Sequence, residues 1–151
     1  MRTAYKVLAY IIAIEVAVQA MAMVYAVAGL GKWVDRGGVL DKAVMESDES
    51  PFPEVAGFAI HAINGMMIIP LLALILLIIS FFTRIPGAVK NAVLVLVLVA
   101  LQITLGLLGH GTPILGALHG LNAFILVGAA LAAARRTNAA PMAATGVSEP
   151  V

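Results

Sequence analysis

A chain of 151 residues that is 62% hydrophobic and 11% charged, with net charge +1, cannot clothe a water-soluble domain, which carries about a quarter charged residues. With a mean hydropathy of +1.06 it reads as one integral membrane domain. The near-zero charge offers no basic stripe for nucleic acid, and the absence of cysteine excludes disulfides, thiolate metal sites, iron–sulfur clusters and c-type haem attachment.

Four apolar segments, near 7–30, 55–82, 91–108 and 114–134, each reach the roughly 20 residues a bilayer span requires. The first follows Arg2 and Lys6, and Ala26-Val27-Ala28 resembles a signal-cleavage site. Its apolar run exceeds the roughly 7–15 residues of a signal core, so it is taken as a true span. Glu15 lies near its middle with Gln19 one turn further on. A neutral Glu15–Gln19 pair facing a neighbouring helix is expected; a proton relay or quinone contact is the functional alternative. The methionines of "QAMAM" here and "GMM" in span two are expected as adaptable filler.

The 31–54 loop is acidic, with Asp35, Asp41, Glu46, Asp48, Glu49 and Glu54 against Lys32, Arg36 and Lys42, and Trp33 falls where an interfacial aromatic belongs. Span two carries "FAIHAINGMMI", with His61 and Asn64. Arg84 and Lys90 flank the connection to span three, where Gln102 and Thr104 read as inter-helix hydrogen-bonding groups. The turn "GHGTP" holds His110, and span four carries "GALHGLNAFIL", with His119 and Asn122, before ending at Arg135 and Arg136. Residues 137–151, rich in alanine with Pro141, Gly146 and Pro150, are expected to be a disordered tail. The basic residues cluster at the N-terminus, the 82–91 connection and the end of span four. Positive-inside bias therefore expects both termini in the cytoplasm, the 31–54 loop outside, and a bacterial inner membrane as host.

Spans one and two make an in–out–in hairpin, and spans three and four repeat it. The echo is sharpest between the two H-x-x-N segments and looser where "AVAGLGK" and "LGLLGHG" finish their helices. Two hairpins of one orientation imply a pseudo-two-fold axis along the membrane normal and an all-α four-helix bundle over residues 1–136. His61 and His119 then lie at matched depth, about 9 Å in from the outer ends of their helices. Facing imidazoles at equal depth meet the main requirement for axial ligation of one haem b. Gly57, Gly65, Gly116 and Ala123, three or four residues from the histidines, share their faces and are expected to leave room for a macrocycle. Asn64 and Asn122, one turn deeper, are expected to bond each other or an opposing carbonyl.

Two other readings stand beside this one. Histidine, asparagine and small residues are also the ordinary glue of membrane helices. A transition-metal site of His61, His119 and His110 is the other possibility, although zinc would usually want a carboxylate or thiolate and Glu15 is too deep. No nucleophile–base pair, phosphate loop or carboxylate couple marks an enzyme.

The chain resembles a group of small four-span membrane proteins of unknown function, of actinobacterial type. The features that carry the resemblance are Ala28-Gly29-Leu30-Gly31 ending helix one, and His61 with Gly65 in helix two. Leu101-Gln102 in helix three and Leu118-His119-Gly120-Leu121-Asn122 before Arg135-Arg136 complete it. It covers nearly all of residues 1–136; the outer loop is longer and more acidic than the pattern. A more distant likeness is to four-helix b-type cytochromes, including the haem A synthase halves. Two-haem members need four histidines and this chain has three, so at most one bis-histidine haem is allowed. The sequence thus expects a one-haem electron-transfer protein in contact with lipid and with other membrane subunits or a redox partner. A cofactor-free accessory subunit and a proton-coupled transporter are the alternatives.

Overall fold

The computed structural model describes residues 1–47 and 49–136, so the tail at 137–151 lies outside the described residues. It is all helix: α1 (Arg2–Asp35), a short α2 (Lys42–Glu46), α3 (Ala56–Ile63), α4 (Ile69–Phe81), α5 (Ala88–Gly109) and α6 (Pro113–Arg135). Four helical stretches are long and apolar enough to cross a membrane: α1, the run from Pro53 to Phe81 that contains α3 and α4, α5, and α6. The membrane bundle expected from sequence is therefore the fold.

Each span offers the core a stripe at three- and four-residue spacing, the period of one helix face. In α1 it runs Tyr5, Ala9, Ile12, Val16, Gln19, Ala22, Ala26 and Gly29. In α4 it runs Ile69, Ala73, Leu76 and Ser80, and in α5 it runs Ala88, Ala92, Val95 and Val99. The stripes are rich in alanine, because close approach of helices in lipid rests on van der Waals contact rather than on a hydrophobic drive. Consecutive spans pack side by side and α6 closes on α1, so spans two and four are diagonal partners.

The closed core occupies one end only. Its members, from Tyr5 to Val16, Ile69 to Leu76, Ile85 to Val99 and Leu126 to Ala134, lie toward the end that carries the chain's N-terminus, hereafter the tail end. Tyr5 Oη donates to Ala88 O at 3.0 Å there, tying span one to span three. At the opposite, loop end the second hairpin has no buried residue between Ala100 and Leu121. The first hairpin keeps Ala22, Ala26, Gly29 and Gly57 buried at that end.

Three expectations are refined. α1 overshoots the 7–30 span at both ends. The loop folds a turn of helix whose N-cap Asp41 accepts from Val44 N at 2.9 Å, the usual cap geometry. Met21, Met66 and Met67 are exposed by half or more, so they face outward rather than filling gaps.

Candidate functional site

His61 and His119 face each other across the diagonal, with ring centroids 6.0 Å apart and planes at 58°. Each is gripped by its own hairpin. His119 Nδ1 lies 2.9 Å from Gln102 O. A carbonyl only accepts, so this nitrogen carries the proton and Nε2 keeps a free lone pair. Gln102 Nε2 donates back to His119 O at 3.0 Å, and Gln102 Oε1 accepts from Asn122 Nδ2 at 2.6 Å. Gly106 leaves the ring its place, since a Cβ there would sit 3.0 Å from His119 Nδ1.

The first hairpin repeats these bonds. His61 Nδ1 lies 3.2 Å from Gln19 O. The Gln19 amide is oriented by its neighbours, nitrogen toward acceptors and oxygen toward donors. It then donates to His61 Nδ1 at 2.8 Å and to His61 O at 2.9 Å, the first of these without a counterpart in the second hairpin, and accepts from Asn64 Nδ2 at 3.0 Å. Each asparagine also reaches an acceptor on the residue four before its glutamine: Asn122 Nδ2 to Leu98 O at 3.0 Å, and Asn64 Nδ2 to Glu15 Oε2 at 2.7 Å. The unit is thus a glutamine on one helix clasping an H-x-x-N on the next, built twice.

One difference follows from Gly65. In an α-helix its N–H would bond His61 O. Here Gln19 Oε1 takes the Gly65 N–H at 3.1 Å while Gln19 Nε2 takes His61 O. A side chain inserted into the ladder distorts a helix, and residues Asn64–Ile68 wind as a π segment, with Ile69 N–H bonded to Asn64 O. A Cβ on Gly65 would stand only 3.2 Å from the Gln19 amide nitrogen in this orientation. Ala123 holds the equivalent place in α6, which stays α-helical throughout. Single-turn π segments recur at functional sites.

Several expectations change. Glu15 bonds Asn64 on the next span, and the expected Glu15–Gln19 pair is not the contact made. The asparagines do not bond each other; Asn122 takes an opposing carbonyl and Asn64 a carboxylate. The glycines serve helix contact within each hairpin. A Cβ on Gly57 would lie 2.4 Å from Ala22 O, and one on Gly109 would lie 2.9 Å from Gly116 Cα. Thr104 Oγ1 bonds Ala100 O in its own helix at 2.9 Å. His110 is exposed at the C-cap of α5, and no group of three or more metal-ligating side chains forms among the described residues.

The pairing of Gln19 with Gln102 is the feature sequence reasoning missed. A signal existed: Ala26 and Gly109, the small residues at the loop-end helix contacts, each lie seven residues beyond their glutamine. The overshoot of α1 hid it, because depth counted from the helix ends does not match.

Chemically, the site offers two imidazoles, each with a glutamine main-chain carbonyl facing Nδ1; His119 donates to its carbonyl, whereas His61 Nδ1 lies between Gln19 O at 3.2 Å and the Gln19 Nε2 donor at 2.8 Å. For His119 that arrangement fixes ring orientation and leaves Nε2 as the ligating nitrogen. Two imidazoles sharing one metal have ring centres roughly 6 Å apart, from two metal–nitrogen bonds of about 2 Å and half a ring on each side. The observed spacing fits that donor pair. For His61 the fit requires the tautomer that donates from Nδ1 to Gln19 O, although Gln19 Nε2 also stands 2.8 Å from Nδ1. No family model, curated protein or solved structure matches the chain.

Proposed function

We propose that the protein is a small b-type cytochrome that holds one haem between its hairpins, with His61 and His119 as axial ligands. The observation that carries this reading is the facing of the two rings across the bundle, centroids 6.0 Å apart, each with a glutamine main-chain carbonyl near Nδ1. Haem ligated by histidine supplies one-electron chemistry. The chain's own residues orient the imidazoles through Gln19 and Gln102, and Gln102 O sets the tautomer of His119. The glycines serve helix contacts, so a flat ring would need room from elsewhere; the second hairpin, with no buried residue between Ala100 and Leu121, is the less closed of the two at the loop end. With only two protein ligands, a porphyrin that brings its own four nitrogens suits the site better than a bare ion does.

The expected orientation places both termini in the cytoplasm of a bacterial inner membrane, with the histidines toward the outer face, a redox partner in the membrane or beyond it, and lipid around the spans. Ser47→Cys should react with an impermeant thiol reagent in intact cells and Thr145→Cys should not; the opposite pattern contradicts this topology. The haem reading is tested by the visible spectrum of full-length protein purified from haem-replete cells, where a low-spin b-type Soret band is expected. A well-folded protein without one would favour the second reading, a cofactor-free subunit of a larger membrane complex. That reading draws on the use of every site glycine and both glutamines in helix contacts.

A further inference from the structure

Glu15 is the single Asp or Glu within the span at 7–30, and the spans at 91–108 and 114–134 hold no charged residue. Its hydrogen bond comes from a neutral donor, Asn64 Nδ2, at 2.7 Å. The second hydrogen of that nitrogen goes to Gln19 Oε1 at 3.0 Å. Asn64 Oδ1, the other half of the amide, is buried and receives nothing. A buried carbonyl without a donor is costly, and a carboxylate in apolar surroundings more so. One proton on Glu15 relieves both. A carboxylic acid presents one O–H donor and one carbonyl acceptor, the complement of a primary amide. A protonated Glu15 would donate from its hydroxyl to Asn64 Oδ1 while Asn64 Nδ2 keeps donating to the Glu15 carbonyl.

We propose that Glu15 is a proton-binding site, closed by this acid–amide pairing with Asn64, and that Asn64 and Gln19 convey its charge state to His61. The step is one proton taken from water onto the carboxylate, with no bond broken and no electron moved. The groups around it leave Glu15 as the proton acceptor. On α1 its neighbours along the same face are Ile11, Ile12, Val18 and Gln19, and the π segment brings Asn64. His61 and His119 are the other titratable side chains near this level, and Tyr10 and Tyr25 lie more than a turn away along α1. The second hairpin carries no carboxylate counterpart: Asn122 Oδ1 is likewise buried without a donor, but Asn122 Nδ2 bonds the main-chain oxygen of Leu98, which takes up no proton in this range. Only one of the two imidazoles is therefore proton-linked.

Infrared pH-difference spectra of the full-length protein in lipid vesicles test the site without any cofactor. A carboxylic-acid carbonyl band should rise on acidification, disappear in Glu15→Gln, and shift without vanishing in Asn64→Leu. The link to His61 rests on the haem reading and is measured in haem-loaded protein by redox titration with chemical mediators. The midpoint potential should fall as pH rises, by up to about 59 mV per unit for one proton per electron, and should be flat in Glu15→Gln. Difference spectra identical in wild type and Glu15→Gln overturn the proton site even if haem is bound. A titrating band with a pH-independent potential overturns the relay to His61. A missing Soret band ends the haem reading and leaves the infrared result standing.

Discussion

The two hairpins hold the same clasp in different frames. In both, a glutamine main-chain oxygen faces a histidine Nδ1, and the glutamine side chain bonds the histidine carbonyl and the asparagine that follows. The second hairpin does this on regular helices with an alanine after its asparagine. The first has Gly65 there, admits the Gln19 amide into the helix ladder and winds a π segment beneath His61. It also ends its chain of bonds on a carboxylate where the second ends on a backbone oxygen. Duplicated bonds keep the two rings aimed at one another. The unduplicated ones, at Gly65 and Glu15, all lie on the His61 side and set its surroundings apart from those of His119.

The comparison breaks hardest at the helix contacts beneath each clasp. Gly57→Leu forces a side chain where even a Cβ would stand 2.4 Å from Ala22 O. Over-packing of this kind costs about 1–3 kcal/mol when neighbours can yield, and a backbone oxygen yields least. The first hairpin should open, lowering thermal stability in detergent more than any other substitution here; an unchanged melting temperature would show that α1 and α3 do not meet as described. Asn122→Ala is the next effect. Asn122 is 3% exposed, and its removal leaves Gln102 Oε1 without its donor. About 1–2 kcal/mol should be lost in a denaturation series, and a neutral outcome would mean the clasp is dispensable.

Gly65→Ala sharpens the comparison with the smallest change in stability. The new Cβ crowds the inserted Gln19 amide at its nitrogen, and the helix-forming gain of alanine over glycine, about 1 kcal/mol, offsets the lost bonds. Residues 64–68 should then wind as α-helix, making the first hairpin like the second. Nitrogen NMR of the imidazoles reads this directly: the His61 signals should move and those of His119 should not. Equal movement of both would contradict the asymmetry.

Much of this was legible in residues, and the rest was not for definite reasons. Length and hydropathy dictate the spans, since no water-exposed arrangement tolerates four such runs. The matched H-x-x-N placed His61 and His119 opposite each other because equal depth on repeated hairpins leaves little choice. The glycine roles were misread: spacing along a helix shows which residues share a face, not whether that face meets a cofactor or a neighbouring backbone. The π segment was invisible because nothing in "NGMMI" departs from helix pattern; it arises from Gln19, on another span. For the same reason Glu15 was matched to the glutamine one turn away rather than to Asn64, whose approach depends on how the two helices rotate against each other.

The central claim is that His61 and His119 share one haem iron, and the sharpest measurement compares three single variants by visible spectroscopy of purified, folded protein. His61→Ala and His119→Ala should each abolish the low-spin b-type spectrum, while His110→Ala, altering an exposed turn, should leave it intact. Loss in only one of the first two, equal loss in all three, or a spectrum that survives both would contradict the shared-iron arrangement.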